Sequence, residues 1–134
     1  MGLGGYLMWT AVGKEISKAT KLKMLPIESH SHAIKFIDSE VFHNNSDFIQ
    51  PGEKFTHAFP LVLNNPKTNY CKKDTPEKAV HRYDKHVISQ ICEVYGIENP
   101  DLKCKLHLTE LEKSVVDDIL LGIGDNDFIA IEPH

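Results

Sequence analysis

A glycine-rich turn, Gly2-Leu3-Gly4-Gly5, runs directly into a repeat in which Leu7, Met8, Ala11, Val12, Ile16 and Ala19 recur at spacings of three and four. The repeat predicts an amphipathic helix ending near Lys21. Glycines at such a junction let the backbone approach a ligand closely, and the helix N-terminus behind them favours an anion. The full G-x-G-x-x-G pattern is absent because position 7 is Leu, so a tight strand-to-helix turn is the simpler reading. Such a turn normally follows a strand, and only Met1 stands before it. The junction therefore predicts an α/β domain that lacks its opening strand.

The rest of the chain keeps the same alternation. Residues 22–27 form a short apolar run, and Pro26 within it argues for an edge strand or a strand end. Residues 33–37 fit a short helix or a strand. Turns are expected at Asn44-Asn45-Ser46-Asp47 and at Pro51-Gly52. Residues 59–63 read as a buried strand closed by Asn64-Asn65-Pro66. A long helix is expected over residues 76–95, capped by Asp74 or Thr75, with Pro76 in its first turn and Gly96 as its stop. Leu102, Cys104, Leu106 and Leu108 alternate with Lys103, Lys105 and His107, the period of a half-buried strand. Thr109-Glu110-Leu111-Glu112 is a capping box, opening a helix to about residue 121 that ends at Gly122 or Gly124. Residues 127–132, with Phe128-Ile129-Ala130-Ile131 at their centre, resemble a central parallel strand. A loop and a helix would normally follow it, and the domain is expected to be truncated at this end as well.

The 134 residues suffice for one domain with a genuine core. A net charge of −4 and scattered basic residues give no field suited to nucleic acid. Lys14, Lys18, Lys21 and Lys23 read as the wet face of the first helix and its exit. Cys71, Cys92 and Cys104 show no C-x-x-C spacing, which suits a reduced, cytoplasmic protein. No apolar run approaches the roughly 18 residues of a membrane span, and no signal-peptide layout opens the chain.

Eight histidines raise the question of a metal. His30 and His32 flank Ser31, and His81 and His86, five apart on one helix, would point about 140° apart. No H-E-x-x-H occurs, so the histidines read as structural or surface residues and no metal site is assigned. Asp117-Asp118 and Asp125-Asn126-Asp127 read as solvated residues of a helix end and a turn, and they do not fit the Ca²⁺-loop pattern.

Three stretches resemble glycosyltransferase family 9, the heptosyltransferase-like enzymes of lipopolysaccharide assembly. Gly2-Leu3-Gly4-Gly5-Tyr6-Leu7-Met8-Trp9-Thr10-Ala11 is similar to that family's glycine loop and first helix. Ser39-Glu40-Val41-Phe42-His43-Asn44-Asn45 resembles a segment ending in Phe-x-Asn-Asn-Pro, with Ser46 in place of the proline. Phe128-Ile129-Ala130-Ile131-Glu132-Pro133-His134 resembles the strand that opens the second domain and leads to its donor-phosphate loop.

The resemblance implies the GT-B architecture of two Rossmann-like domains, with residues 1–126 as the acceptor-side domain and 127–134 as the first strand of the donor domain. It implies transfer of a heptose or related sugar from a nucleotide-sugar co-substrate to a glycan or lipid-glycan acceptor. No further cofactor or obligatory metal is implied, and the location is cytoplasmic or peripheral to the inner membrane. Gly4, Gly5 and Tyr6 would form the acceptor-binding loop, and Pro133 and His134 would lie on the donor side. Tyr6 stands where heptosyltransferases usually carry an Asp as base, and a phenol is a poor base at neutral pH. No catalytic residue is therefore assigned, and the isolated chain is expected to be inactive. The alternative is a non-catalytic Rossmann-like binding or interaction module, since fold alone does not fix function.

Overall fold

The computed structural model describes residues 2–68 and 85–123. The apolar repeat after the glycines forms α1 (Leu3–Thr20), which begins at Leu3 and so takes in the glycines as its first turn. It ends where Lys21 turns left-handed (φ 61°) and donates its N–H to the Ser17 carbonyl. Trp9, Ala11, Val12 and Ile16 are buried. The lysines lie on the outer face: Lys18 pairs with Glu15 at 2.6 Å, and Lys14 with Asp101 at 2.7 Å.

Three short strands form a mixed sheet in the order β2-β1-β3: β1 (Met24–His30), β2 (Ala33–Phe36) and β3 (Phe59–Val62). β1 pairs antiparallel with β2, Ile27 opposite Phe36, and parallel with β3, Met24 opposite Phe59. The edge position expected for the first strand is thus overturned, because β1 is central. Its tolerance of Pro26 has a local cause. Along that side of β1, Met24 bonds to Asp47 and Ile49, and the Pro26 carbonyl accepts from Ile37 N–H at 2.9 Å. Pro26 sits where β1 changes partners, so its missing N–H breaks no ladder bond.

α1 packs against β1, β3, α2 (Val87–Val94) and the 3-10 turn Glu40–Phe42. The core they enclose includes Trp9, Val12, Ile16, Met24, Phe42, Phe48, Leu61, Ile88, Ile91 and Cys92. Phe42 and Phe48 stack with centroids 4.7 Å apart. Cys92 is a free thiol, and its burial pushes its pKa up to about 11, so it acts as an inert apolar side chain.

The helix expected over residues 76–95 is not continuous. His86 is extended (ψ 142°) and its Nδ1 accepts the Ile88 N–H at 3.2 Å, so it caps a shorter helix. The histidine ring competes with the backbone for a helical donor. Gly96 stops α2 as expected, at φ +72°. Residues 76–84, His81 and Cys71 lie outside the described residues. So do the strand expected at 127–132, the domain boundary there, and Asp125, Pro133 and His134.

The strand expected across Leu102–Leu108 is also overturned, since no strand forms there. Its backbone finds side chains instead: Lys105 N–H donates to Thr10 Oγ1 at 3.0 Å, and the His107 carbonyl accepts from Asn44 Nδ2 at 3.4 Å. The segment lies against α1 and the 44–45 turn, with Leu102, Leu106 and Leu108 exposed.

α3 (Glu110–Ile123) opens on the capping box as expected. Thr109 Oγ1 accepts the Glu112 N–H at 3.2 Å, while Glu112 Oε2 accepts from the Thr109 N–H and hydroxyl at 2.6 and 2.7 Å. Asp117 and Asp118 sit inside this helix, not at its end. The Thr109 hydroxyl and amide hold the Glu112 carboxyl below the ordinary glutamate range, with His43 adding a smaller pull in the same direction. A depressed folded pKa stabilises above the unfolded value and is lost as pH falls through the folded one. Acidification below about pH 4 is therefore expected to loosen the first turn of α3. Thr109→Ala is expected to cost about 1 kcal/mol of helix stability at neutral pH. Secondary chemical shifts of residues 110–116 check both; helical shifts unchanged by acid and by the substitution would show that the cap does not hold the turn.

Among the described residues no helix is long and apolar enough to cross a membrane.

Candidate functional site

Three segments distant in sequence enclose a cleft of about 370 Å³. The first turns of α1 contribute Leu3 and Leu7. The 3-10 turn and the residues after it contribute Glu40, Val41, His43 and Asn44. The stretch entering α3 contributes Leu106, His107, Leu108, Thr109 and Glu112. Leucines and a valine thus supply apolar walls, and carboxylates, imidazoles, an amide and a hydroxyl stand among them.

Local bonding fixes the polar groups. Asn44 is left-handed (φ 57°), a conformation asparagine tolerates. Its amide is held by Gln50 Oε1 at 2.8 Å. Gln50 Nε2 in turn reaches the carbonyls of Phe42, Asn45 and Phe48 at 3.1, 2.9 and 3.1 Å. His43 Nε2 lies 2.6 Å from Asp38 Oδ1, which makes that nitrogen the proton carrier and leaves Nδ1 as the acceptor in a neutral ring. Glu112, ionised and turned back onto Thr109, closes the other side.

The acidic balance has a chemical consequence. Glu40 and Glu112 line the cleft and Asp38 adjoins it, so a diphosphate would meet like charge, whereas a neutral, hydroxyl-rich ligand would find donors and acceptors. Of the loop residues that the family resemblance picks out, Gly4 and Gly5 lie in the helical first turn of α1, with the Gly5 and Tyr6 amides bonded to the Gly2 carbonyl at 3.0 and 3.2 Å. The space where a Gly4 side chain would project is open. Tyr6 is half-buried, its ring edge-on to Phe42 at 5.8 Å. His30 and His32 fall at the β1–β2 hairpin, away from the cleft. Among the described residues no three His, Cys, Asp or Glu side chains are placed to hold a metal.

Nothing in the sequence marked Asp38, His107 or Gln50 as site residues. Their neighbours in the cleft come from other parts of the chain, and among those neighbours Leu3, Leu7, Glu40, Val41, His43 and Asn44 fall in the two stretches, 2–11 and 39–45, that the sequence singled out. No protein-family model, curated protein or solved structure matches the chain.

Proposed function

We propose that this chain is the acceptor-side, Rossmann-like portion of a GT-B sugar transferase of the heptosyltransferase-like kind, with the cleft at the head of α1 as its acceptor site. One observation carries the reading. Two stretches that resemble that family, some 30 residues apart, converge on the cleft: Leu3 and Leu7 from the first, Glu40, Val41, His43 and Asn44 from the second. The parallel β1–β3 pair with α1 packed against both strands accords with the α/β class to which such a unit belongs.

In this reading the acceptor sugar lays its C–H faces on Leu7 and Leu108 and its hydroxyls on Asn44, His107 and Glu40. The nucleotide-sugar binds elsewhere, because the cleft's carboxylates oppose a diphosphate. Tyr6 is committed to packing on Phe42, so the group suited to take the acceptor hydroxyl's proton is His43, oriented by Asp38. The second reading, a non-catalytic binding module, is favoured by the same Tyr6, since a module needs no acid in that place.

Amide chemical-shift titration of the labelled chain checks the site. Neutral heptoses and hexoses at millimolar concentration are expected to shift Leu7, Asn44 and His107. Asn44→Gly, which removes the side chain without backbone strain, should weaken binding about fivefold, the loss of roughly one hydrogen bond. ADP- and GDP-sugars should not bind at micromolar concentration. Silence of these amides, or micromolar nucleotide-sugar binding, would sink the reading. Sugar binding without transfer when a donor domain is supplied in trans would favour the module.

A further inference from the structure

The cleft at the head of α1 has walls of Leu3, Leu7, Val41, Leu106 and Leu108, and no described lysine or arginine lines it. Its acidic groups differ in how far they are already engaged. Asp38, at the edge, is bonded to His43 at 2.6 Å. Glu112 accepts from the Thr109 N–H and hydroxyl. Glu40 opens the 3-10 turn, where its carbonyl accepts the His43 N–H at 3.1 Å, so its place at the cleft is set by the backbone. Its carboxylate has no hydrogen-bond or ion-pair partner among the described residues. The opposing fields are small. The N-terminus of α3 is met by Glu110 and Glu112 in its own first turn, and the entrance of α1 carries about half a positive charge. Glu40 thus leaves a negative charge without a counter-ion beside apolar walls and the polar groups of Asn44 and His107.

We propose that Glu40 makes the cleft selective for an amino sugar, whose ammonium meets this carboxylate while its C–H face lies on the leucines. The inference rests on the acceptor reading above and narrows it from sugars in general to those that carry a free amine. An ammonium donates up to three N–H groups and accepts none, which suits a carboxylate that lacks a donor. A hydroxyl in the same place donates one neutral hydrogen bond and brings no charge. A sugar acid is disfavoured, because its carboxylate would face Glu40.

Amide chemical-shift titrations of the full chain at about pH 7 test it, comparing glucose with glucosamine and with its isomer aminated at the exocyclic carbon. Both amines are largely protonated there. At least one amino sugar is expected to bind about two- to fivefold more tightly than glucose, as an exposed ion pair would give. At roughly 1 M salt the preference should shrink towards none. Glu40→Gln keeps an oxygen acceptor but loses the charge, so the ratio of the two affinities should fall to about one, whatever happens to either alone. Glu40 is exposed, so the fold should tolerate the change, with the amide spectrum as the check. Suppose glucose shifts Leu7, Asn44 and His107, but the amine adds nothing, or its gain persists in Glu40→Gln or in high salt. The inference is then overturned and the acceptor site stands. Ethanolamine binding as tightly as the amino sugar would also overturn it, because the cleft would then be reading a bare amine. Silence of the three amides towards every sugar would remove the acceptor site itself, and the inference with it.

Discussion

Phe48→Ala is expected to lower the unfolding free energy by about 3–5 kcal/mol, the range for a fully buried aromatic cut to a methyl. Phe48 is completely buried, stacks on Phe42, and bridges to Met24 at the start of β1. It also fills the space against Gly13 of α1. A Cβ at Gly13 would collide with Phe48 Cζ, lie 2.9 Å from Phe48 Cε2 and 3.2 Å from Met24 Cγ. Gly13→Ala should therefore destabilise by about 1–3 kcal/mol through overpacking, despite the ~1 kcal/mol helix preference for Ala. In the double variant the new methyl enters the space vacated by the ring, so the effects should fall short of additive by more than about 1 kcal/mol. Urea unfolding of the four proteins measures this. Additivity within about 0.5 kcal/mol would mean that the glycine is not there to admit the ring.

Gly13 illustrates what was legible and what was not. A helical repeat shows that a face is buried, but not which residue of another segment will press against a missing side chain. Features whose participants lie within a few residues of each other could be read from the chain: the exit of α1 at Lys21, the stop at Gly96, the turns at 44–47 and 51–52, and the capping box. The departures share one cause. Alternation over 102–108 predicts a strand with one buried side, yet the backbone there bonds to Thr10 and Asn44 side chains in place of a neighbouring strand, and Leu102, Leu106 and Leu108 stay exposed. Pro26 argues against a central strand only on the premise that the whole strand keeps one partner on that side. His86 looks like a helix interior because nothing in the apolar stripe reveals a ring turned onto its own backbone.

The cleft was the least legible feature, and sequence distance explains why. Asn44 meets His107 across 63 residues, and Thr10 meets Lys105 across 95. No local pattern encodes such a meeting. What could be seen was that the glycine segment and the Phe42-His43-Asn44-Asn45 stretch were each distinctive. Their convergence required β1 to run centrally and carry the chain back beneath α1. Within the proposed transferase reading, the same geometry moves the role of base from Tyr6, whose ring packs on Phe42, to His43 paired with Asp38.

The cleft's shape should depend most on a residue that does not line it. Gln50 is half-buried and binds four backbone groups of the 42–48 turn at once, three carbonyls through its Nε2 and the Asn44 amide through its Oε1. Its own amide is anchored to Glu53 Oε2 at 2.9 Å, and Glu53 is held by Lys23 at the entry to β1. Gln50→Ala leaves these groups without partners in a partly water-excluded place, and about 2–3 kcal/mol of stability should be lost. Gln50→Glu should be worse, although it is closer in shape. A carboxylate donates nothing, so it would face three carbonyl oxygens that now receive N–H groups. Urea unfolding should rank the proteins wild type, Gln50→Ala, Gln50→Glu in falling stability, and hydrogen exchange at the Asn44 amide should quicken in both variants. A glutamate variant as stable as wild type, with Asn44 still protected, would show that the turn is held by Phe42 and Phe48 packing alone. In that case the positions of His43 and Asn44 would be set by the core and not by this amide.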